Sequence, residues 1–369
     1  MVERAVLTAE WVEVEPGVEV LDGATWSVVD VPARIETSTE IELVQELSVE
    51  EILKVFVTWM RLDVADGHAS PETLRSYLCD VRQHLEWLRD EGLSPATATD
   101  DDLKAYRAWL VESEYAVSTV GRKLVGVRRF YEMAHARGKL GQNPAARLKS
   151  PVDKTDRSER VKYLTWEAVK RLLNLPTRMH RAERAPKGLR DRAMMTLMAV
   201  HGCRVCEVAR LSLADFDPDA HDFGTLRLFG KGSKYRTVIL TEESRSILDV
   251  WLKARNLMRV EDDALFVTLH WGVREGEEPN HRISTRSIRA TVDGYLETAG
   301  LKRTGISCHA LRHSYATLSL AMGAPLLAIS KSMGHASVTT TQVYAEIIDQ
   351  VKNNPARLLG GLVEPAEDE

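Results

Sequence analysis

A chain of 369 residues exceeds one typical domain and suits two, since domains cluster at about 100 to 200 residues. Its 44% hydrophobic and 28% charged residues, with no apolar run of bilayer length, exclude a membrane-spanning class, and MVERAVLTAEWVEVE has neither the basic lead nor the apolar stretch of a secretory signal, so the expected location is cytoplasmic. The net charge of −5 is unevenly spread: residues 1–45 carry −8 and the last nine −4, leaving a body of +7, mildly basic as a phosphate-binding surface requires.

Along the chain, WVEVEPGVEVLDGATWSVVDV alternates apolar and acidic residues around Pro16-Gly17, which reads as a β-hairpin appended to residues 46 onward. From about Ile41 to Leu148 the pattern becomes helical. In SPETLRSYLCDVRQHLEWLRDEG, Ser70 can cap, Pro71 takes the first helical position, and Leu74, Leu78, Val81, Leu85 and Leu88 form one stripe. In STVGRKLVGVRRFYEMAHARG, Leu124, Val127 and Tyr131 share one side while Arg122, Lys123 and Arg129 lie on others. The run SPVDKTDRSERVKY is polar and aperiodic, the composition of an exposed linker over residues 150–163. Helices are expected near 165–175, over 188–201 and from Arg204, followed by a hairpin in GTLRLFGKGSKYRTVILT around Gly230, Lys231, Gly232 and Ser233, then a mostly helical remainder. The expected fold is therefore mainly α with a small antiparallel β-sheet.

Four cysteines (Cys79, Cys203, Cys206 and Cys308) are too few to staple so long a chain, so no structural disulfide is expected. Cys203 and Cys206 form a CxxC pair, but no second close pair follows it, and buried small fillers are the simpler reading than zinc ligands. GKGSK lacks the upstream glycine of a nucleotide-binding loop and sits in a hairpin, which excludes an ATPase reading.

The chemistry is spread over the second half: Arg204 in HGCRVCEVARLSLADFD, Lys231 in FGKGSKYR, His309 and Arg312 in CHALRHSYAT, His335 in MGHASVTTT and Tyr344 in TQVYAEI. Taken singly each has a bland reading, a core histidine or a solvated arginine; their joint order and spacing do not. Here the sequence resembles the tyrosine recombinase, or phage integrase, family, and in particular its Xer-like members, over roughly residues 45–350. The resemblance implies a two-domain architecture: an acidic extension (1–45), a helical SAM-like core-binding domain (46–149), a linker (150–163), an α+β catalytic domain (164–350) and a tail (351–369) that meets a neighbouring protomer.

It also implies a site-specific recombinase that cuts and rejoins DNA through a 3′-phosphotyrosyl bond and a Holliday junction, with no metal or other cofactor. A phosphodiester gains negative charge as it is attacked, so fixed donors are needed. Arg204 and Arg312 suit this as forked, permanently charged clamps, and His335 would add a donor. Tyr344 is the expected nucleophile. A phenol titrates near pH 10, so it needs a base or orienter, for which His309 is the candidate; Lys231 is the candidate acid for the leaving 5′-oxygen. Glu207, one turn after Arg204, is assigned to support.

The implied partners are double-stranded DNA and a homotetramer on two DNA sites. Arg122, Lys123 and Arg129, with Lys154, Arg157, Arg160 and Lys162 of the linker, are candidate phosphate contacts. The acidic residues 1–45 depart from the basic arm-binding module of larger integrases and suggest an accessory protein contact or a charge shield. A type IB topoisomerase or hairpin-forming resolvase would use the same residues, and a non-catalytic DNA-binding protein could share the fold.

Overall fold

The computed structural model describes residues 48–63, 70–180, 185–230, 235–260, 262–269, 279–335 and 337–352. The hairpin expected before residue 46, Lys231 with its turn, and the tail after 352 lie outside the described residues. The chain divides into two compact units between Lys154 and Thr155, inside the polar 150–163 run.

The first unit holds α1 (Val49–Asp63), α2 (Pro71–Asp90), α3 (Asp100–Glu112) and α4 (Val117–Ala136). Local chemistry sets their starts. Ser70 accepts from the Thr73 amide at 3.2 Å, with Pro71 where a missing N–H costs nothing. Thr99 and Asp102 form a reciprocal capping box, Thr99 N–H donating to Asp102 Oδ2 at 2.8 Å. The stripes of α2 and α4 meet in one core in which Val81, Leu88, Leu124, Val127 and Tyr131 are fully buried.

Lys123 departs from the sequence expectation. Its side chain is buried, donating to Gln83 Oε1 at 2.6 Å and to Asp80 Oδ1 at 3.4 Å, and Arg122 bonds both the other Asp80 oxygen and Ser76. Asp80 has no exposed surface, so an ionised carboxylate there needs cations beside it, and α4 supplies two. Lys123 is an internal counter-charge here, and not a free phosphate contact.

The second unit runs through α5 (Arg157–Arg160), α6 (Trp166–Met179), α7 (Ala185–Val200), α8 (Val205–Arg210), a 3-10 turn (Leu213–Asp215), β1 (Phe216–Asp217), β2 (Thr225–Phe229), β3 (Tyr235–Ile239), α9 (Glu242–Arg255), α10 (Thr285–Thr298), α11 (Cys308–Ala321), α12 (Leu326–Met333) and α13 (Thr339–Lys352). The sheet is antiparallel in the order β1-β2-β3, with Arg227 opposite Thr237 and Phe229 opposite Tyr235, as the expected hairpin requires. Helix α7 is buried almost all round, with Met194, Met195, Leu197 and Met198 in the core, so it acts as the unit's central rod.

Two stretches are not as expected. Part of the polar linker forms the single turn α5, and the following Val161 and Tyr163 pack on the second unit. Among the described residues between α9 and α10, isolated bridges pair Ser212 with Ala264 and Val267 with Arg282. The Arg282 guanidinium ties this stretch down, donating to Leu211 O at 2.8 Å and Ser212 Oγ at 2.9 Å. No helix among the described residues is long and apolar enough to cross a membrane.

Candidate active site

Three backbone segments converge on the second unit's α11. The first is the turn His201–Arg204, where Gly202 has φ +64°, a conformation that favours glycine, and where a Cβ would overlap the Tyr315 ring. The second is the end of α12, where Gly334 is the left-handed C-cap at φ +64°. The third is α13. Each glycine precedes a polar residue of interest, Arg204 and His335, and lets the chain turn sharply enough to bring that side chain inward.

Arg312, on α11, has little exposed surface, and its guanidinium is spent on backbone and ring: it donates to Gly202 O, to Met333 O at 2.7 Å and to His335 Nε2 at 3.1 Å. Arg204, the N-cap of α8, reaches the next carbonyl along, Gly334 O, at 3.4 Å. The two guanidiniums thus meet at consecutive residues of one turn. Burial and the neighbouring Arg204 lower the Arg312 pKa to about 10, which still leaves it charged at neutral pH.

Glu207 holds this arrangement. It is buried; it accepts from the Arg204 amide at 2.6 Å, from Arg204 Nη1 at 2.9 Å and from both terminal nitrogens of Arg236, one of them at 3.0 Å. Arg236, on β3, also donates to Ser332 O at 2.8 Å, so one ion network joins α8, the sheet and the end of α12. Burial alone would raise the Glu207 pKa; the bonds from Arg236 and Arg204 outweigh it and leave it below the ordinary value. Three guanidiniums against one carboxylate leave an unbalanced positive field, the electrostatic requirement for holding an anionic phosphate.

Tyr344 is buried on α13 within a small cluster of Ala316, Ile329, Met333 and Ile347, against which Val161 and Tyr163 pack. Burial raises its pKa, while Arg312 and Arg204 pull the other way. The histidine expected at this phenol from the sequence is His309; the structure places His313 there instead, with Nδ1 2.8 Å from the Tyr344 Oη. Positions 309 and 313 lie one turn apart on α11, so both rings share a face, but only the later one is level with Tyr344. His309 is exposed, its ring centroid 6.1 Å from that of His313. His335 touches Arg312 through Nε2 and Thr341, the buried hydroxyl one turn before Tyr344, through Nδ1 at 2.8 Å.

The structure therefore brings together Arg204, Glu207, Arg312, His335 and Tyr344 of the expected set, and adds His313, Arg236 and Thr341. His313 had a readable signal, its i+4 spacing from His309; Arg236 had none, since its carboxylate partner is 29 residues away. Lys231 lies outside the described residues, although Arg236, five positions on, ties the root of its hairpin to the arginine set. Lys154, Arg160 and Lys162 are exposed, Arg129 pairs with Glu132 at 2.6 Å, and the Arg157 side chain is outside the described residues. All four cysteines are free, with Cys203 and Cys308 in the core.

Comparison with known proteins gives this geometry a family. Residues 162–350 match the model of the phage integrase family, and residues 64–138 match that family's N-terminal SAM-like domain. The chain belongs to the phage integrase family. This integrase-family chain is 32% identical to a tyrosine recombinase XerC of Herpetosiphon aurantiacus over 280 residues, covering 74% of this chain and 84% of the relative. To a tyrosine recombinase XerC of Pelobacter propionicus it is 33% identical over 286 residues, covering 76% and 87%. In fold it matches the XerH site-specific recombinase bound to a palindromic difH substrate, with a TM-score of 0.68 at 21% identity over 86% of each chain. It also matches a lambda integrase tetramer bound to a Holliday junction, with a TM-score of 0.60 at 15% identity over 81% of this chain and 77% of that one. The chain is a Xer-like tyrosine recombinase with a helical SAM-like domain and a mainly α catalytic domain.

Proposed function

We propose that this chain is a site-specific DNA recombinase that cuts and rejoins duplex DNA with Tyr344 as nucleophile. The observation that carries this reading is the burial of the Tyr344 phenol in its own chain beside Arg312 and Arg204, whose charges both act on it. In the reaction, Oη of Tyr344 forms a bond to phosphorus and the bond from phosphorus to the 5′-oxygen breaks, giving a 3′-phosphotyrosyl link and a free 5′-hydroxyl. Arg204 and Arg312 meet the charge that develops on the non-bridging oxygens. Glu207, itself held by Arg236, keeps Arg204 in place, and the Gly202 and Met333 carbonyls keep Arg312, so that little reorganisation is needed when the phosphate arrives. Lys231 gives the leaving oxygen its proton. No metal takes part, because the guanidiniums supply the positive charge.

The DNA-bound relatives of the same fold support double-stranded DNA as partner and a tetramer acting through a Holliday junction. The exposed basic residues Lys154, Arg160 and Lys162, with Arg157, are the proposed phosphate contacts nearest the catalytic unit, and residues 1–45 are left for an accessory protein.

The test begins with the wild-type chain and genomic DNA: fragments that remain attached after denaturation are sequenced to give the target site. A nicked duplex of that site is then offered to wild type and to Tyr344→Phe. We expect a covalent adduct with wild type alone and equal duplex binding by both; an adduct that survives the substitution removes Tyr344 as nucleophile. Relaxation of supercoiled plasmid lacking the site would favour a topoisomerase.

A further inference from the structure

We propose that Ser244, on the first turn of α9 and outside the arginine set, is a positioning residue for cleavage: through its bond to His201 it fixes the Gly202 carbonyl on which the Arg312 guanidinium is seated. The inference rests on the reading of Arg312 as a phosphate clamp and adds to it the group that keeps the clamp aimed.

The Gly202 carbonyl has to be held from outside. It accepts from Arg312 Nη1, yet Gly202 stands at φ +64° and has no side chain by which its peptide plane could be fixed. A glycine moves among backbone conformations more freely than any other residue, so its neighbours must impose the one it adopts. Two bonds flank it. The Cys203 amide donates back to Leu197 O at 3.1 Å, which closes the end of α7. On the other side of the glycine, His201 Nε2 lies 2.8 Å from Ser244 Oγ.

That second bond ties the turn to a different helix. Thr241, the N-cap of α9, accepts from the Ser244 amide at 3.3 Å and donates its hydroxyl to Ser244 Oγ at 3.2 Å, so the hydrogen of Ser244 itself is left for Nε2. His201 and Ser244 are both buried, and burial lowers the His201 pKa to about 4, so at physiological pH the ring is neutral and can accept. A polar ring costs more to bury than an apolar filler of its size, and this one stands at the residue before the glycine, where a side-chain bond to a second element restrains the turn. The line of contact runs from Thr241 through Ser244 and His201 to the Gly202 carbonyl and Arg312. Among the described residues Ser244 Oγ bonds His201 and Thr241 and neither arginine, so its effect passes through the backbone.

The experiment measures single-turnover cleavage of the nicked duplex, at saturating protein, by wild type, Ser244→Ala, His201→Phe, the double variant and Leu248→Val, each shown to be folded by its denaturant midpoint. His201→Phe removes the same bond from its other end while keeping a ring. Leu248→Val is the stability control: it trims a buried side chain one turn on along α9 and leaves the bond alone. Misplacing a reacting group by about 1 Å can cost on the order of 10²-fold, so Ser244→Ala and His201→Phe should each cleave about 10-fold or more slowly while binding the duplex as wild type does. The double variant should be no slower than the worse single one, since both delete one bond. Leu248→Val should cleave at the wild-type rate.

A duplex with a methylphosphonate at the cleaved position carries no charge there and asks less of a guanidinium. On it the deficit of Arg312→Ala should shrink, and that of Ser244→Ala with it; a defect of folding alone would be the same on both duplexes. A wild-type rate for Ser244→Ala, an undiminished loss on the methylphosphonate, or an equal loss for Leu248→Val overturns the proposal. Wild-type cleavage by Arg312→Ala would instead remove the reading beneath it.

Discussion

The Arg312 guanidinium donates to Nε2 of His335 at 3.1 Å. A guanidinium has no acceptor, so that nitrogen carries its lone pair and the ring proton sits on Nδ1, donating to Thr341 Oγ1 at 2.8 Å. The ring expected to offer phosphate a donor is, without DNA, an acceptor for the clamp arginine. Nitrogen-detected NMR of the DNA-free chain should show His335 as the neutral Nδ1–H tautomer. Burial, followed by Arg312, Arg204 and Arg236, lowers its pKa to about 4, so the charged form should appear only as the pH falls towards that value. An Nε2–H tautomer at neutral pH would contradict the arrangement.

Removing the other end of that bond should be felt in two ways. Thr341→Val keeps the volume of a fully buried side chain but deletes the acceptor. Leaving the ring N–H unpaired should cost about 1 to 3 kcal/mol, read as a lower denaturant midpoint. Cleavage should slow further than stability explains, because Thr341 and Tyr344 stand one turn apart on α13.

Glu207→Gln tests the ion network. Two arginines lose their counter-charge, and the loss should be on the order of 2 kcal/mol, kept modest because Arg204 is partly exposed to water. The sign with pH follows from the lowered folded-state pKa. The carboxylate's contribution is fully present above the ordinary Glu value near 4.5 and is lost as pH falls through the lower folded one. Wild type should therefore lose stability below about pH 4.5 more steeply than the Gln variant, which carries no such group. Parallel acid unfolding curves would show that the network is not held by charge.

The basic residues separate by burial. Lys154→Ala and Lys162→Ala remove exposed cations and should each lower the slope of log affinity against log salt by about 1. Lys123→Ala should leave that slope unchanged and instead destabilise the first unit, since Asp80 would lose one of its two cations. A reduced slope for Lys123→Ala would restore it as a phosphate contact.

On the proposed mechanism, in which guanidiniums meet the developing charge, excess EDTA should leave single-turnover cleavage unchanged. Lost activity restored by a divalent cation would give metal a role.

Much of the scaffold is legible in the sequence where local chemistry decides it. Ser70-Pro71 announces α2, and the β-rich runs around residues 230–233 announce the hairpin. The bridged stretch before α10 is not legible, because it is held by the Arg282 side chain bonding to backbone some 70 residues earlier, and no periodicity records such a bond. The site divides in the same way. Arg204, Arg312, His335 and Tyr344 are fixed by spacing within short motifs, whereas Arg236 matters only through a carboxylate on another element. Lys123 is misread because a lysine off the apolar stripe is taken as a surface residue; Asp80 on the neighbouring helix draws it inward.

The first residues of the second unit run beside Tyr344. Val161 and Tyr163 form part of the shelf on which the Tyr344 helix rests, and α5 lies against α13. Val161 and Tyr163 thus couple the polar run to α13 through directly packed side chains, so a change in where these two residues sit is also a change in the bed of the Tyr344 ring.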